Sequence, residues 1–272
     1  MPTRRVNGYD MAFVEQGSRD PLVLVHGTLG DYRNWAGQMA HFGARYRTIA
    51  LSLRHCWPER WDGEGDDFTV DKHAEDVAAF IAALGAGPIS LLGHSRGAYI
   101  AFRVARNHPN LVRKLVLMEP GGALDSSLEP PQAPKSPPLA LGPLYAAAAE
   151  RIRRGEVDAG LAPTVDALFG PGAWANLPEE ARQRKRDNAR TLVGQVKEKR
   201  APFTRADAEA IRAPTLLVAG DRSPETFHRI LDGLQSALRD ARRVVIPAAS
   251  HGSNIDNPEA FARVALAFLE DA

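Results

Sequence analysis

Short apolar runs set the rhythm of this chain. "PLVLVHG" (21–27), "RTIALSL" (47–53), "PISLLGH" (88–94), "RKLVLMEP" (113–120), "PTLLVAGD" (214–221) and "RRVVIPA" (242–248) are rich in Val, Ile and Leu, with little polar alternation. Strands of that kind are covered on both faces, the habit of a mostly parallel sheet. Amphipathic helical patterns lie between them. Val77, Phe80, Ile81 and Leu84 make one stripe, and Gly85 supplies its stop. The last helix opens at Asn257-Pro258, a capping residue followed by proline at the first helical position. It then turns Phe261, Val264, Ala265, Phe268 and Leu269 inward. This alternation predicts a doubly wound, three-layer α/β fold with helices on both faces of the sheet. Ahead of Pro21, Asn7-Gly8 predicts the turn of an antiparallel hairpin at the sheet edge.

One region breaks the rhythm. From about Gly121 to Thr204 no buried-strand pattern occurs. A Pro-rich stretch, "EPPQAPKSPP" (129–138), leads into Ala- and Arg-rich helical segments. The expected division is a core made of residues 1–120 and 205–272, with residues 121–204 inserted as a helical cap or lid. Long insertions in compact domains are usually functional, which ranks a cap above a loop excursion with no role in binding.

Composition narrows the partners. With 34 basic against 33 acidic residues, nothing points to nucleic acid or an anionic membrane. The single Cys56 rules out an internal disulfide and fits a reducing compartment. The segment "MPTRRVNGYDMAF" lacks an apolar signal core, and no apolar segment reaches the roughly 20 residues needed to span a bilayer. The expectation is a cytoplasmic protein acting on a small molecule.

The chemistry is concentrated at "LLGHSRGAYIAF". Gly93-His94-Ser95-Arg96-Gly97 follows a buried strand and opens an amphipathic helix. A strand-to-helix turn that tight needs small residues two before and two after the serine. It lifts the Ser95 hydroxyl above the sheet edge, toward a helix N-terminus that stabilises developing negative charge. The alternative is a glycine-bracketed serine in an ordinary turn, and the flanking elements argue against it. With this motif, and with "LVLVHGTLGDYRNW" upstream, nearly the whole chain resembles the α/β-hydrolase family. The resemblance implies two oxyanion donors, the backbone N–H groups of Thr28 and Arg96. His26 and His94 are read as structural.

Among eight histidines, His251 is the best-placed base, following the last core strand on the same carboxyl edge as Ser95. The imidazole then needs a carboxylate to fix its tautomer. Most family members place an Asp three residues after a Gly at the end of the seventh strand. Counting from Gly220, that position is Ser223, which reads locally as a helix N-cap before Pro224. Asp221 stands two residues early and has a turn role open to it. Glu119 ends the sixth strand before a Pro-Gly-Gly break, the position from which some lactone hydrolases and haloalkane dehalogenases take their acid. It is favoured over Asp221.

These residues point to a cofactor-independent serine hydrolase cleaving a carboxylic ester or lactone through an acyl-enzyme. Carbon–carbon bond hydrolysis and perhydrolysis share the same triad. A ligand-binding protein of the same fold with vestigial hydrolysis is the alternative from another class. No H-E-x-x-H or paired-Cys pattern suggests a metal. Trp57, Trp61, Leu139, Leu141, Leu144, Tyr145, Phe169 and Trp174 are candidates to line a moderately apolar pocket, or to glue the insertion to the core.

Overall fold

A computed structural model describes residues 1–131 and 139–271. The Pro-rich residues 132–138 lie outside the described residues. The strands are β1 (Thr3–Val6), β2 (Tyr9–Gln16), β3 (Pro21–Val25), β4 (Arg47–Leu51), β5 (Ile89–His94), β6 (Val112–Met118), β7 (Thr215–Gly220) and β8 (Ala241–Ile246). They form one sheet in the order β1-β2-β4-β3-β5-β6-β7-β8. Pairing is parallel from β4 to β8, and β1 and β2 add an antiparallel edge. Asn7 and Gly8 both take positive φ, 46° and 78°, as the two-residue hairpin turn between β1 and β2 requires.

Every residue of β3, β5 and β7 is buried, which explains their unbroken apolar sequences. β8 departs from the expectation of burial on both faces: Arg242 is exposed and Val245 is 45% exposed. The reason is its place at the sheet edge, where among the described residues no strand pairs beyond it.

Because strand side chains alternate, each strand feeds two cores. Val23, Val25, Leu91, Leu115 and Leu217 face one cluster, and Leu22, Leu24, Leu92, Val116 and Leu216 face the other. In chain order the helices are α1 (Ala36–Gly43), α2 (Val70–Leu84), α3 (Arg96–Asn107), α4 (Leu141–Arg153), α5 (Val157–Phe169), α6 (Ala173–Asn176), α7 (Glu179–Asp187), α8 (Arg190–Gln195), α9 (Arg205–Glu209), α10 (Glu225–Gln235), α11 (Ser253–Asp256) and α12 (Pro258–Glu270). The first cluster takes Val77, Phe80 and Ile81 of α2, Ile100 and Val104 of α3, and Ile230, Leu231 and Leu234 of α10. The second takes Phe42 of α1, with Phe261, Ala265 and Phe268 of α12. Helix ends follow their local chemistry. Gly85 closes α2 in the left-handed conformation, and the Asn257 side chain accepts from Ala260 N at the start of α12.

Helices α4 to α8 lie between β6 and β7 and form a third apolar cluster from Ala148, Ala149, Ile152, Leu161, Ala189, Leu192 and Val193. Leu29, from the loop after β3, is buried in the same cluster. Beside it, the fully buried Asp31 accepts hydrogen bonds from Arg33 Nη2 at 2.7 Å and Asn188 Nδ2 at 2.7 Å, while Arg33 also pairs with Asp187 at 2.9 Å. That network fastens the loop after β3 to α7. Among the described residues, no helix is long and apolar enough to cross a membrane.

Burial, the largest single influence, would raise the Asp31 pKa, but the side-chain and backbone hydrogen bonds from Arg33 and the charges of His26 and Arg33 together outweigh it and hold the carboxyl below its ordinary value. A depressed folded-state value adds stability that is fully present above the unfolded value of about 3.9 and is lost as pH falls below it. Asp31→Asn is expected to cost about 2 kcal/mol at pH 7. Its deficit against the wild type in thermal melts should shrink as pH drops below about 4; a deficit unchanged at pH 3 would disprove the ionised role.

Candidate active site

At the end of β5 the chain turns so sharply into α3 that only glycine fits on either side. A side chain at Gly93 would bring its Cβ to 2.3 Å from the Gly97 carbonyl, and one at Gly97 to 2.3 Å from that of Val25. Ser95 sits between them at φ 54°, ψ −117°, a conformation that costs an L-residue about 1–3 kcal/mol. Hydrogen bonds from Ser95 N to Met118 O (2.9 Å) and from Gly121 N to Ser95 O (3.1 Å) hold the turn against the end of β6.

The hydroxyl raised by this turn meets an imidazole. His251 Nε2 lies 3.0 Å from Ser95 Oγ, with both residues buried. The ring is held on three sides. Phe227 stacks on it at 4.0 Å between centroids, and Phe169 meets it edge-on at 5.9 Å. His94 Nε2 donates to the His251 carbonyl at 2.7 Å, and burial pushes the His94 imidazole well below its ordinary pKa, keeping it neutral. The third hold is a hydrogen bond from His251 Nδ1 to Glu119 Oε2. Gly220 lets the His251 loop approach β7, since a Cβ there would lie 2.2 Å from the Ala249 carbonyl.

Glu119 is fully buried, just beyond β6, at φ 47°. Its second oxygen, Oε1, accepts from Gly220 N at 2.7 Å and from the Ser223 hydroxyl. The reading of Ser223 as a helix cap is therefore corrected. Pro224 holds the cap position of α10, and the Ser223 side chain turns to the buried carboxylate instead. Asp221 is exposed and accepts from Ala249 N at 3.0 Å, a bond that steadies the turn after β8. Backbone amides of Ala248 and Ala249 hold its carboxyl below the usual range. The His251 ring bonds to Glu119 and Ser95 instead.

Thr28 and Arg96 both line the cavity that opens beside Ser95, about 330 Å³ in volume. Thr28 Oγ1 donates to Gln195 Oε1 at 3.1 Å, and the Tyr145 hydroxyl also bonds to Thr28, its pKa pushed up to about 12 by burial. Of the eight residues considered for an apolar pocket, Leu141 and Tyr145 line this cavity. Phe169 lines a small cleft of about 30 Å³ on the His251 side, together with Lys185. Trp61 stacks between His55 and Phe68, Trp57 lies under Arg33, and Trp174 packs on the helical cluster. The remaining walls are more charged than the sequence suggested, with Arg96, Glu198 and Arg200 side by side. Sequence reasoning does not find Gln195, Glu198 and Arg200, because the end of α8 and the irregular segment after it carry no motif, and only tertiary contact reveals them. His26 is structural, its Nε2 accepting from Leu53 N at 3.1 Å. Among the described residues, no group of three or more His, Cys, Asp or Glu is placed to hold a metal ion.

Comparisons with known proteins agree with this architecture. A family model described as the alpha/beta hydrolase fold matches residues 20–258. An (E)-2-((N-methylformamido)methylene)succinate hydrolase of Acinetobacter baylyi is 23% identical over 268 residues, 95% of this chain and 93% of that protein. The enol-lactonase of Burkholderia xenovorans LB400 superposes with a TM-score of 0.78 at 20% identity, covering 99% of this chain and all of that one (100%). A thermophilic esterase from Thermogutta terrifontis gives 0.75 at 24% identity, over 98% and 96% of the two chains. At such identities the structural likenesses establish the fold.

The turn itself is testable. Gly97→Ala should lose about 3 kcal/mol of stability, because the obstructing atoms are backbone and cannot swing aside. Gly142→Ala, with open space around its Cβ, should stay within about 1 kcal/mol. Equal melting temperatures for the two variants would refute the packing argument.

Proposed function

This chain belongs to the α/β-hydrolase fold family, and we propose that within it the protein is a serine hydrolase cleaving a carboxylic ester or lactone. The observation that carries the reading is the 3.0 Å approach of His251 Nε2 to the Ser95 hydroxyl, with Glu119 bonded behind the ring. Ser95 Oγ attacks the carbonyl carbon while His251 Nε2 takes its proton. Glu119 accepts from Nδ1–H, which fixes the tautomer that leaves Nε2 free to act as base, and its negative charge stabilises the imidazolium. The amides of Thr28 and Arg96 receive the oxyanion at the opening turn of α3. His251 returns the proton to the leaving alcohol, and a water activated by the same ring clears the acyl-enzyme.

Serine at the turn supports acyl transfer over epoxide opening or dehalogenation, which in this fold use an aspartate nucleophile. The names of the relatives, a hydrolase of a succinate derivative, an enol-lactonase and an esterase, agree with carbonyl chemistry. The Ser223 hydroxyl and the Gly220 amide both donate to one oxygen of Glu119 and leave its other oxygen for His251.

The test is steady-state turnover of p-nitrophenyl butyrate together with labelling by a fluorophosphonate. Wild-type protein should hydrolyse the ester and take the label at Ser95, and Ser95→Ala should do neither. Glu119→Gln should lower kcat by about 10³–10⁴, as replacing a triad acid by its amide does, while Asp221→Asn should remain within about twofold. No turnover of any ester and no labelling would overturn the reading in favour of a ligand-binding role. Loss of activity in Asp221→Asn with Glu119→Gln unaffected would reverse the choice of acid.

A further inference from the structure

Two guanidinium groups and one carboxylate meet on the wall of the cavity beside Ser95. Glu198 Oε2 accepts from Arg96 Nη1 at 2.6 Å and from Arg200 Nη2 at 3.2 Å. Its other oxygen is taken by the Val70 amide at the start of α2. Glu198 and Arg96 are almost wholly buried, with side chains 3% and 2% exposed, whereas Arg200 keeps 19% of its side chain open. Arg96 is wedged over the Phe68 ring at 4.8 Å, and Arg200 lies over Tyr99 at 5.2 Å. One negative charge is thus shared between two positive ones in a largely dry setting. Among the described residues, Nε of Arg96 and Nε of Arg200 have no hydrogen-bond partner. The nearby groups do not supply the missing charge. His73, 3.5 Å from Arg96 Nη2, is held neutral by burial, and the Tyr145 and Gln195 side chains on the cavity wall are uncharged.

This surplus stands beside the reacting centre. A Cβ on Gly121 would lie 3.6 Å from Ser95 Oγ, and the Gly121 carbonyl accepts from Arg200 Nη1 at 3.2 Å. A single residue therefore separates the hydroxyl from the guanidinium. Unpaired buried charge is costly, and a guanidinium fork matches a carboxylate in geometry as well as sign.

We propose that the cavity beside Ser95 binds a substrate carrying a carboxylate a few carbon atoms from the scissile carbonyl, paired with Arg200 and completing the charge balance of Arg96, Glu198 and Arg200. The substrate is then an anionic ester or lactone of a dicarboxylic or hydroxy acid, not a neutral lipid-like ester. The assignment of a substrate rests on the acyl-hydrolase reading, but the anion site does not. Lys185, on the His251 side, is the competing cation, its amine drawn down to about 8 by burial.

The experiment has two arms. In the first, kcat/KM is compared for monophenyl adipate and phenyl hexanoate, which differ in a terminal carboxylate against a methyl group. Wild type should favour the adipate ester at least tenfold. Arg200→Gln should reduce that preference about tenfold to a hundredfold, as expected for one charge-assisted bond. Arg200→Lys should restore part of it, and Lys185→Met should leave it in place. In the second arm, adipate itself is titrated calorimetrically onto wild type and Arg200→Gln, with far-ultraviolet circular dichroism confirming the fold of each variant. Adipate should bind wild type and lose at least tenfold in affinity in Arg200→Gln. If neither ester turns over but adipate binding depends on Arg200, the hydrolase reading fails and the anion site stands. Equal kcat/KM for both esters with no adipate binding would overturn the anion site, as would a preference that disappears in Lys185→Met and survives in Arg200→Gln.

Discussion

A carboxylate sealed from water has to be answered by donors, and Glu119 is answered from three separate parts of the chain. His251 comes from the loop after β8, the Gly220 amide from the end of β7, and the Ser223 hydroxyl from the approach to α10. Removing one of them would leave a buried acceptor unsatisfied, at a cost of about 1–3 kcal/mol. The interaction therefore does more than seat one side chain. It sets the spacing of three strand ends at one edge of the sheet, and it gives the His251 ring a single orientation toward Ser95. The left-handed backbone at Glu119, followed by Pro120, is part of the cost of placing a side chain from one strand beneath a loop that follows another.

Much of this was readable in the chain. The strands announced themselves because central parallel strands are apolar throughout, and β8 was misjudged in its burial because an edge strand can use the same residue types with one side open. The turn at Ser95 was legible because backbone crowding leaves glycine as the sole residue for positions 93 and 97. Choosing between Glu119 and Asp221 was harder, since both stand at the correct edge. What separates them is the direction of one side chain, a property of φ and of the neighbouring strand that no spacing rule contains. Ser223 shows the same limit. A serine before proline and glutamate looks like a cap, yet in three dimensions its hydroxyl donates to the buried Glu119 carboxylate.

The charged wall of the cavity was invisible for a different reason. Arg96 is set by the turn into α3, Glu198 and Arg200 by the irregular segment that follows α8, and Val70 by the start of α2. Their meeting depends on how the helical insertion lies over the core, which is a matter of tertiary packing. Arg96 also joins two proposed tasks in one residue. Its amide sits at the opening of α3 where an oxyanion would be received, and its side chain belongs to the group inferred to recognise a carboxylate. Substrate recognition and transition-state stabilisation would then share a rigid anchor.

Leu29 has a mechanical consequence of its own. It is rooted in the apolar cluster of the insertion, yet it is the covalent neighbour of Thr28, whose amide faces the reacting carbonyl in the proposed chemistry. Peptide links do not stretch, so a rocking of the helices as a body would tug on that amide through one residue. On that reading, whatever settles the helical layer into place would also shift the aim of this amide, so that the roof and the floor of the cavity move as one.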